Sequence, residues 1–338
     1  MKLQFNDLKD LVKVALAPTP SVNFADAQDA AINAMIDFYG LTDLTPREIK
    51  ANKALIMALI EEVIDEVLPE RLQDRVGDFA EIKQYARDAE VVFHIKGIGK
   101  RRAYQTIKKG ARGGLYQSAR LDDMQMTLPT WVETVGVFVT LEEIILGRYT
   151  LAELMNNILD GFTERLYVQV IEALQAAVVP DANQGSAAGV NKTELDAIIR
   201  VVSAYGRPII MGFHNVVEKI HNLVDITNAN PNLPVQDLDE IRGRGFVSVY
   251  KGTPVVKLPN YIIDENTNEE WLLDESKLFI LPVGDRPVKV AMKGEMHLQP
   301  LVHPTGSEEW NAHKFLGVGL LLTNNIGIYT DTDEEAGE

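Results

Sequence analysis

The sequence contains no cysteine. Disulfide frameworks, cysteine nucleophiles, thiolate zinc sites and iron–sulfur clusters are therefore excluded, and a reducing compartment fits. Long hydrophobic runs are also missing. The longest is Leu316-Gly-Val-Gly-Leu-Leu-Leu322, far short of the roughly 20 apolar residues a membrane span requires. Basic charge is scarce: 33 Lys and Arg stand against 49 Asp and Glu, a net charge of −16. Such a chain is no bulk nucleic-acid binder, because phosphate neutralisation needs Lys and Arg. Ala15-Leu16-Ala17 has the form of a signal-peptide cleavage site, but Asp7, Lys9, Asp10 and Lys13 break the apolar segment such a signal needs. These absences predict a soluble protein made in the cytoplasm, with no membrane partner.

What is present suffices for a core. The 338 residues are 46% hydrophobic, enough for two or three packed units. The first 68 residues read as helices. Leu8 to Leu16 form a short amphipathic piece, and a second helix spans Phe24 to Tyr39. A third opens at the capping box Thr45-Pro46-Arg47-Glu48. Ile56, Leu59, Ile60, Val63, Ile64 and Val67 then recur at helical spacing, and Pro69 is expected to end the run. Strands are predicted at Val91–Ile95, Ala103–Ile107 and Trp131–Thr140, with a glycine-rich tip between Gly110 and Gly114. The excursion between the outer two has little apolar content, and a two-stranded ribbon of that kind is marginal alone.

The longest helix is predicted from Thr150 to about Ala177. Leu154, Ile158, Phe162, Leu166, Val170 and Leu174 make an i, i+4 stripe, and its breadth marks a central packing element. Asp181 to Gly189 reads as a loop. Asn191 caps a helix ending near Gly206, Pro208–Met211 is a short buried strand, and a helix follows from Asn215 to about Val224. After loop-like residues 225–245, the sequence is β: Phe246–Tyr250, Pro254–Leu258, Leu278–Leu281, Val288–Met296, Phe315–Thr323 and Ile326–Tyr329. The tail from Asp331 is acidic and reads as solvated.

Chemical signatures are sparse. Gly97-Ile98-Gly99-Lys100 lacks the first glycine and the final Ser or Thr of a phosphate loop. Ser186 stands in a plain Gln-Gly-Ser-Ala segment, with no nucleophile elbow. His94, His214, His221, His297, His303 and His313 show no ligand spacing, and the acidic tail lacks the pattern of a calcium loop. No catalytic, cofactor or metal site is expected, and no enzyme.

One distribution departs from chance. Lys96, Lys100, Arg101, Arg102, Lys108, Lys109, Arg112 and Arg120 put eight cations and no acid into the window from 96 to 120. The window carries +8 within a total of −16, so −24 lies elsewhere. Nucleic-acid binding, contact with the acidic surface of an identical neighbour, and a solvated loop are the three readings. The second accounts for most, because a basic arm on an acidic body is self-complementary between copies, and head-to-tail contacts of this kind close into rings.

The order of elements resembles the major capsid proteins of tailed bacteriophages, over about residues 88 to 330. Four segments carry the resemblance: the arm around Lys100 to Leu121; Thr134-Val-Gly-Val-Phe-Val-Thr-Leu-Glu-Glu-Ile-Ile-Leu146 with the long helix after it; Arg207-Pro-Ile-Ile-Met-Gly-Phe-His-Asn-Val-Val-Glu218; and Val249-Tyr-Lys-Gly-Thr-Pro-Val-Val-Lys-Leu258. The resemblance implies an α+β fold with an extended loop, a peripheral domain built on the long spine helix, and an axial domain. Mapped on this chain, these are a helical N-terminal arm over 1–68, extended loop and peripheral domain over 69–190, axial domain over 191–310, and returning strands with the acidic tail over 311–338. It also implies hexamers and pentamers of identical subunits in an icosahedral virion shell around double-stranded DNA, with portal, scaffolding or decoration proteins as further partners. The window from Lys96 to Arg120 would be the inter-subunit loop. Some members join a loop lysine to a neighbour's asparagine, for which Lys100, Lys108 or Lys109 and Asn324 or Asn325 are candidates. An encapsulin-type cellular shell and a nucleic-acid-binding module using the arm are the alternatives.

Overall fold

The computed structural model describes residues 46–96, 123–139, 151–223, 248–263, 266–268, 270–284, 286–302, 308–321 and 323–335. Within them the order is α1 (Pro46–Val76), β1 (Ala80–Tyr85), β2 (Val92–Lys96), β3 (Asp123–Thr127), β4 (Trp131–Val139), α2 (Leu151–Gln175), β5 (Gln184–Ala187), α3 (Lys192–Ser203), β6 (Pro208–Gly212), α4 (His214–Lys219), β7 (Val249–Tyr250), β8 (Thr253–Lys257), β9 (Lys277–Pro282), β10 (Val288–Val302), β11 (Glu308–Leu320), β12 (Gly327–Asp331) and α5 (Thr332–Glu335). The helices expected before residue 40 and the strand expected at Ala103–Ile107 lie outside the described residues.

A four-stranded sheet, β1-β10-β11-β4, forms one body. β1 is parallel to β10; the other pairs are antiparallel. Alternate residues Val288, Val290, Met292, Ala312 and Leu316 form its inner face, against Ile64, Leu68 and Leu72 of α1 and Ile158, Phe162 and Leu166 of α2. The predicted stripe on α2 is thus the packing stripe: Ile158, Phe162, Leu166, Val170 and Leu174 are all fully buried.

α1 does not stop at Pro69. It continues to Val76 with the proline inside it. Proline has no N–H for the carbonyl four residues earlier, that of Asp65. Here Gln84 Nε2 on β1 donates to that carbonyl at 3.3 Å, and burial of Leu72 and Val76 beyond the proline holds the last turns on the core. The Asp65 side chain has two further partners. β1 ends opposite Lys293, and β10 then bulges between Lys293 and His297, with Gly294 at φ +71°. Past the bulge, Met296 N–H donates to Asp65 Oδ2 at 2.8 Å and Leu298 N–H to Glu61 Oε1 at 2.6 Å. Helix carboxylates therefore satisfy strand-edge donors that β1 no longer reaches. Asp65 Oδ1 also pairs with Lys314 of β11, whose side chain is 2% exposed.

The second sheet has six strands in the order β5-β12-β9-β6-β8-β7. β9 shows how it is covered on both faces: Leu278 and Ile280 join a core with Leu195, Ile198 and Val202 of α3 and Val216 and Val217 of α4. Phe279 and Leu281 point the other way, into the core built on α2. Asn191 caps α3 as expected, its Oδ1 accepting Thr193 N–H at 2.9 Å.

Two expectations are corrected here. The segment Asp181–Gly189, read as a loop, holds a 3-10 turn and β5, which pairs in parallel with β12. Its strand character comes from outside, since Asn183 Nδ2 donates to the carbonyls of Asn324 and Ile326 at 2.8 and 2.9 Å. Nor is the acidic tail wholly solvated. Asp331 is buried and accepts from Gly189 N at 2.8 Å, Asp333 N at 3.0 Å and Lys219 Nζ at 2.6 Å. Sheet membership also crosses the boundaries drawn on the sequence: β10, inside 191–310, pairs in the four-stranded sheet, and β12, inside 311–338, in the six-stranded one.

Two measurements test this arrangement. Asp65→Ala leaves Lys314 buried without its counter-ion, at an expected cost of about 3–5 kcal/mol. Adding Lys314→Met should recover most of that loss in urea unfolding of the unassembled chain. For Asp331, burial opposes ionisation, but the Lys219, Asp333 and Gly189 donors outweigh it and hold the carboxyl below its ordinary range. A depressed pKa contributes stability above the unfolded-state value, about 3.9, and that contribution is lost as pH falls through the folded value. Asp331→Asn should therefore be less stable at pH 7 and take up about one proton fewer on acid unfolding; an unchanged acid profile would refute the assignment.

Candidate assembly site at the root of the basic arm

The strands that flank the basic window, β2 and β3, form a ribbon, paired antiparallel from Val92 opposite Thr127 to Lys96 opposite Asp123. Of the eight predicted contact residues, Lys96 is the last residue of β2. Lys100, Arg101, Arg102, Lys108, Lys109, Arg112 and Arg120 lie outside the described residues, as does the glycine-rich tip.

The root of the arm is tightly held. Phe93 is buried beside Tyr85, edge-to-face at 5.9 Å, and the Lys83 ammonium lies 5.0 Å from its ring centre. The Tyr85 hydroxyl donates to Val92 O at 2.8 Å, and burial raises its pKa, which keeps it the neutral donor this bond needs. Leu128 N–H donates to Val91 O at 3.0 Å, closing the ribbon one residue below its last strand pair. Val91, Phe93 and Leu128 then share a small core with Ala291 of β10 and with Leu321.

That core lies on the outer face of the four-stranded sheet, opposite the helices. Two glycines of β11 make the seat. A Cβ on Gly317 would stand 2.6 Å from the backbone oxygen of Pro129, and one on Gly319 would collide with the Leu128 side chain. Glycine weakens a strand interior unless another backbone approaches closely, and here the arm's return segment does. The paired glycines at i and i+2 were visible in the sequence, but their partner, Leu128–Thr130, is almost two hundred residues away. Phe93 and Tyr85 carried no signal as anchors.

The remaining chemical candidates are dispersed. His94 is exposed on β2. His214 lies 3.9 Å from Glu218 within α4, and His297 and His313 are cross-strand neighbours, with His313 Nδ1 2.8 Å from Thr134 Oγ1. His303 lies outside the described residues. Among the described residues, no three metal-ligating side chains converge. Ser186, read as part of a flexible loop, is in β5 and lines an open crevice of about 550 Å³ with Glu194, Lys277 and Thr330. Of the two asparagines named for a covalent link, Asn325 is buried and Asn324 exposed. No described helix is long and apolar enough to cross a membrane.

Comparison with known proteins gives this α+β body a class: it is a capsid protein. The chain belongs to the family described as SPbeta prophage-derived putative capsid protein YonB, whose model matches residues 8–329. Its sequence matches no curated protein. Among solved structures it is similar to the satellite phage P4 procapsid that includes the size determination (Sid) protein, with 10% identity, 79% of this chain and 90% of that chain covered, and a TM-score of 0.49. It is similar also to the virus-like particle from Pyrococcus furiosus, at 11% identity, 78% and 96% coverage and a TM-score of 0.44. The holo-SrpI encapsulin complex from Synechococcus elongatus PCC 7942 gives 9% identity, 73% and 84% coverage and a TM-score of 0.42.

The seat is open to test. Gly317→Ala forces the Pro129 backbone away and should loosen the arm's root without unfolding the body, since overpacking of this kind costs about 1–3 kcal/mol. Trypsin should then cut between Lys96 and Arg120 faster than in the parent chain. An unaltered cleavage rate would show that the seat does not hold the arm.

Proposed function

We propose that the chain is a major capsid protein, whose copies form hexamers and pentamers that close into an icosahedral head around double-stranded DNA. The observation that carries this reading is the family match across residues 8–329, which includes the arm, both sheets and the long helix. In this reading the four-stranded sheet with α1 and α2 is the peripheral unit, and the six-stranded sheet with α3 and α4 is the axial one. The arm, with Lys96, Lys100, Arg101, Arg102, Lys108, Lys109, Arg112 and Arg120, reaches over the next copy.

Charge supports the assignment of roles. With eight cations gathered in one window, the rest of the chain carries a net −24, and an acidic wall repels packed DNA. Exposed ion pairs contribute only about 0–1 kcal/mol each. The arm thus sets register between copies, while apolar contacts supply affinity. The protein would be made in the host cytoplasm and end in the virion, with a portal and any scaffolding or decoration protein as its other partners. No catalytic step is assigned to it.

Electron microscopy of the expressed chain is the test. Closed particles with five- and six-fold capsomers are expected. Solitary molecules at high concentration, in low and moderate salt, would refute the proposal. Virions carrying this chain should hold DNA and a portal; particles filled by one folded enzyme would assign it to the encapsulin-type shell instead.

A further inference from the structure

Four of the exposed large hydrophobics among the described residues, Ile262, Ile263, Trp271 and Leu272, lie on neither sheet. Between β8 and β9 the chain runs out and back as a short ribbon, with Ile262 bridged to Trp271, Ile263 N–H bonded to Glu270 O at 2.9 Å, and Leu272 N–H bonded to Tyr261 O at 2.8 Å. Its base is rigid. Asn260 Oδ1 accepts from Tyr261 N and Leu273 N, and its Nδ2 donates to Leu273 O and Glu275 Oε1. Tyr261 meets Tyr167 of α2 edge-to-face at 6.1 Å, and the Arg75 guanidinium lies 5.1 Å from the Tyr167 ring centre and 5.6 Å from that of Tyr261. The Tyr167 hydroxyl donates to Pro259 O at 2.6 Å.

Beyond this base, Ile262, Ile263, Trp271 and Leu272 are 37%, 58%, 47% and 42% exposed. Exposed apolar side chains gathered in this way mark interaction sites. A ribbon fixed this firmly, with its apolar residues turned outward, is built for a partner. The sequence also sets the charge of that partner. From Tyr261 to Glu275 it holds Asp264, Glu265, Glu269, Glu270, Asp274 and Glu275, and no Lys or Arg. An anionic apolar ribbon excludes nucleic acid and an anionic membrane surface, and calls for a cationic peptide with apolar side chains.

This chain contains one such segment. Residues 96–120 combine eight cations and no acid with Ile98, Tyr104, Ile107, Leu115 and Tyr116. We propose that the exposed apolar face of Ile262, Ile263, Trp271 and Leu272 is the acceptor for the basic arm of a neighbouring copy, with Trp271 and Ile263 taking the arm's apolar side chains and the exposed Glu270 beside them meeting its cations. The inference rests on the shell reading above and names the surface on which that reading depends.

The absence of cysteine makes the test clean, because each engineered thiol is the only one in its chain. Glu270→Cys would be made in one chain, and Lys100→Cys, Lys108→Cys, Arg112→Cys or Arg120→Cys in another. The two are co-assembled, checked for particles by electron microscopy, and then oxidised. A disulfide-linked dimer of the two chains from at least one pairing is expected, and none from particles of the parent sequence. Where Glu270→Cys blocks assembly, Thr267→Cys takes its place. Intact particles without a dimer from any pairing would overturn the acceptor assignment and leave the shell reading standing. Failure of the parent chain to form particles would overturn the shell reading itself.

Discussion

Asp65 is the point at which α1, β1, β10 and β11 of the four-stranded body are joined. Its carbonyl is released by the proline four residues on and taken by Gln84 of β1. Its carboxylate holds the Met296 N–H on the strand edge and the buried Lys314 ammonium on the next strand. One residue thereby ties α1 to β1, β10 and β11. Ionic groups are held in a core of this kind only where each has its partners, because an unpaired buried charge costs several kcal/mol. The same contact settles a second problem. β10 is far longer than β1, so its edge beyond Lys293 would be open to pairing with another chain. Glu61 and Asp65 fill two of its donors and close that route.

With the inner face of the sheet committed to helices, the β2–β3 ribbon packs on the outer one. Gly317 and Gly319 bring backbone against backbone there, and Phe93 and Leu128 anchor the ribbon on Ala291 and Leu321. The arm's root and the long helix α2 are therefore registered to each other through a single sheet. A displacement of the β2–β3 root is resisted by its close packing on β11, since packed interiors transmit strain.

The sequence was most legible where local pattern and tertiary role coincide. The i, i+4 stripe of α2 is buried on every described position, and Asn191 caps α3 as its residue type indicates. The β content of the C-terminal third was also visible, though β10 and β11 run well past the stretches their apolar residues marked, because cross-strand pairing extends a hairpin beyond its hydrophobic part. Readings failed where a distant partner decides the local structure. Pro69 ends a helix by local rules, but Gln84 and the burial of Leu72 and Val76 carry α1 through it. Gln184–Ala187 has no strand propensity of its own and is a strand because β12 and Asn183 make it one. Asp331 reads as solvent-facing until Lys219, more than a hundred residues earlier, is placed beside it. The arm's root followed the same rule: its seat in β11 reads only as two unexplained glycines.

Segregation of charge is the remaining feature that needs a physical cause. A chain with its cations spread evenly over an acidic surface would have many weak, degenerate ways to meet a copy of itself. Gathering eight of them into one arm, and leaving a fixed apolar ribbon among acids elsewhere, reduces those ways to few. The ionic part acts at a distance and steers encounter, while the apolar part acts only on contact and rewards one register. Such a division suits a protein that must add copies quickly and still correct misplaced ones. On the proposed docking, weak exposed ion pairs dissociate and re-form until the arrangement that also covers Trp271 and its neighbours is reached. On the same proposal, the rigid roots, Phe93 with Leu128 under the arm and Asn260 with Tyr261 under the ribbon, are ordered before docking and add nothing to its entropy cost. The anchoring seen within one copy is, on this view, the precondition for specificity between copies.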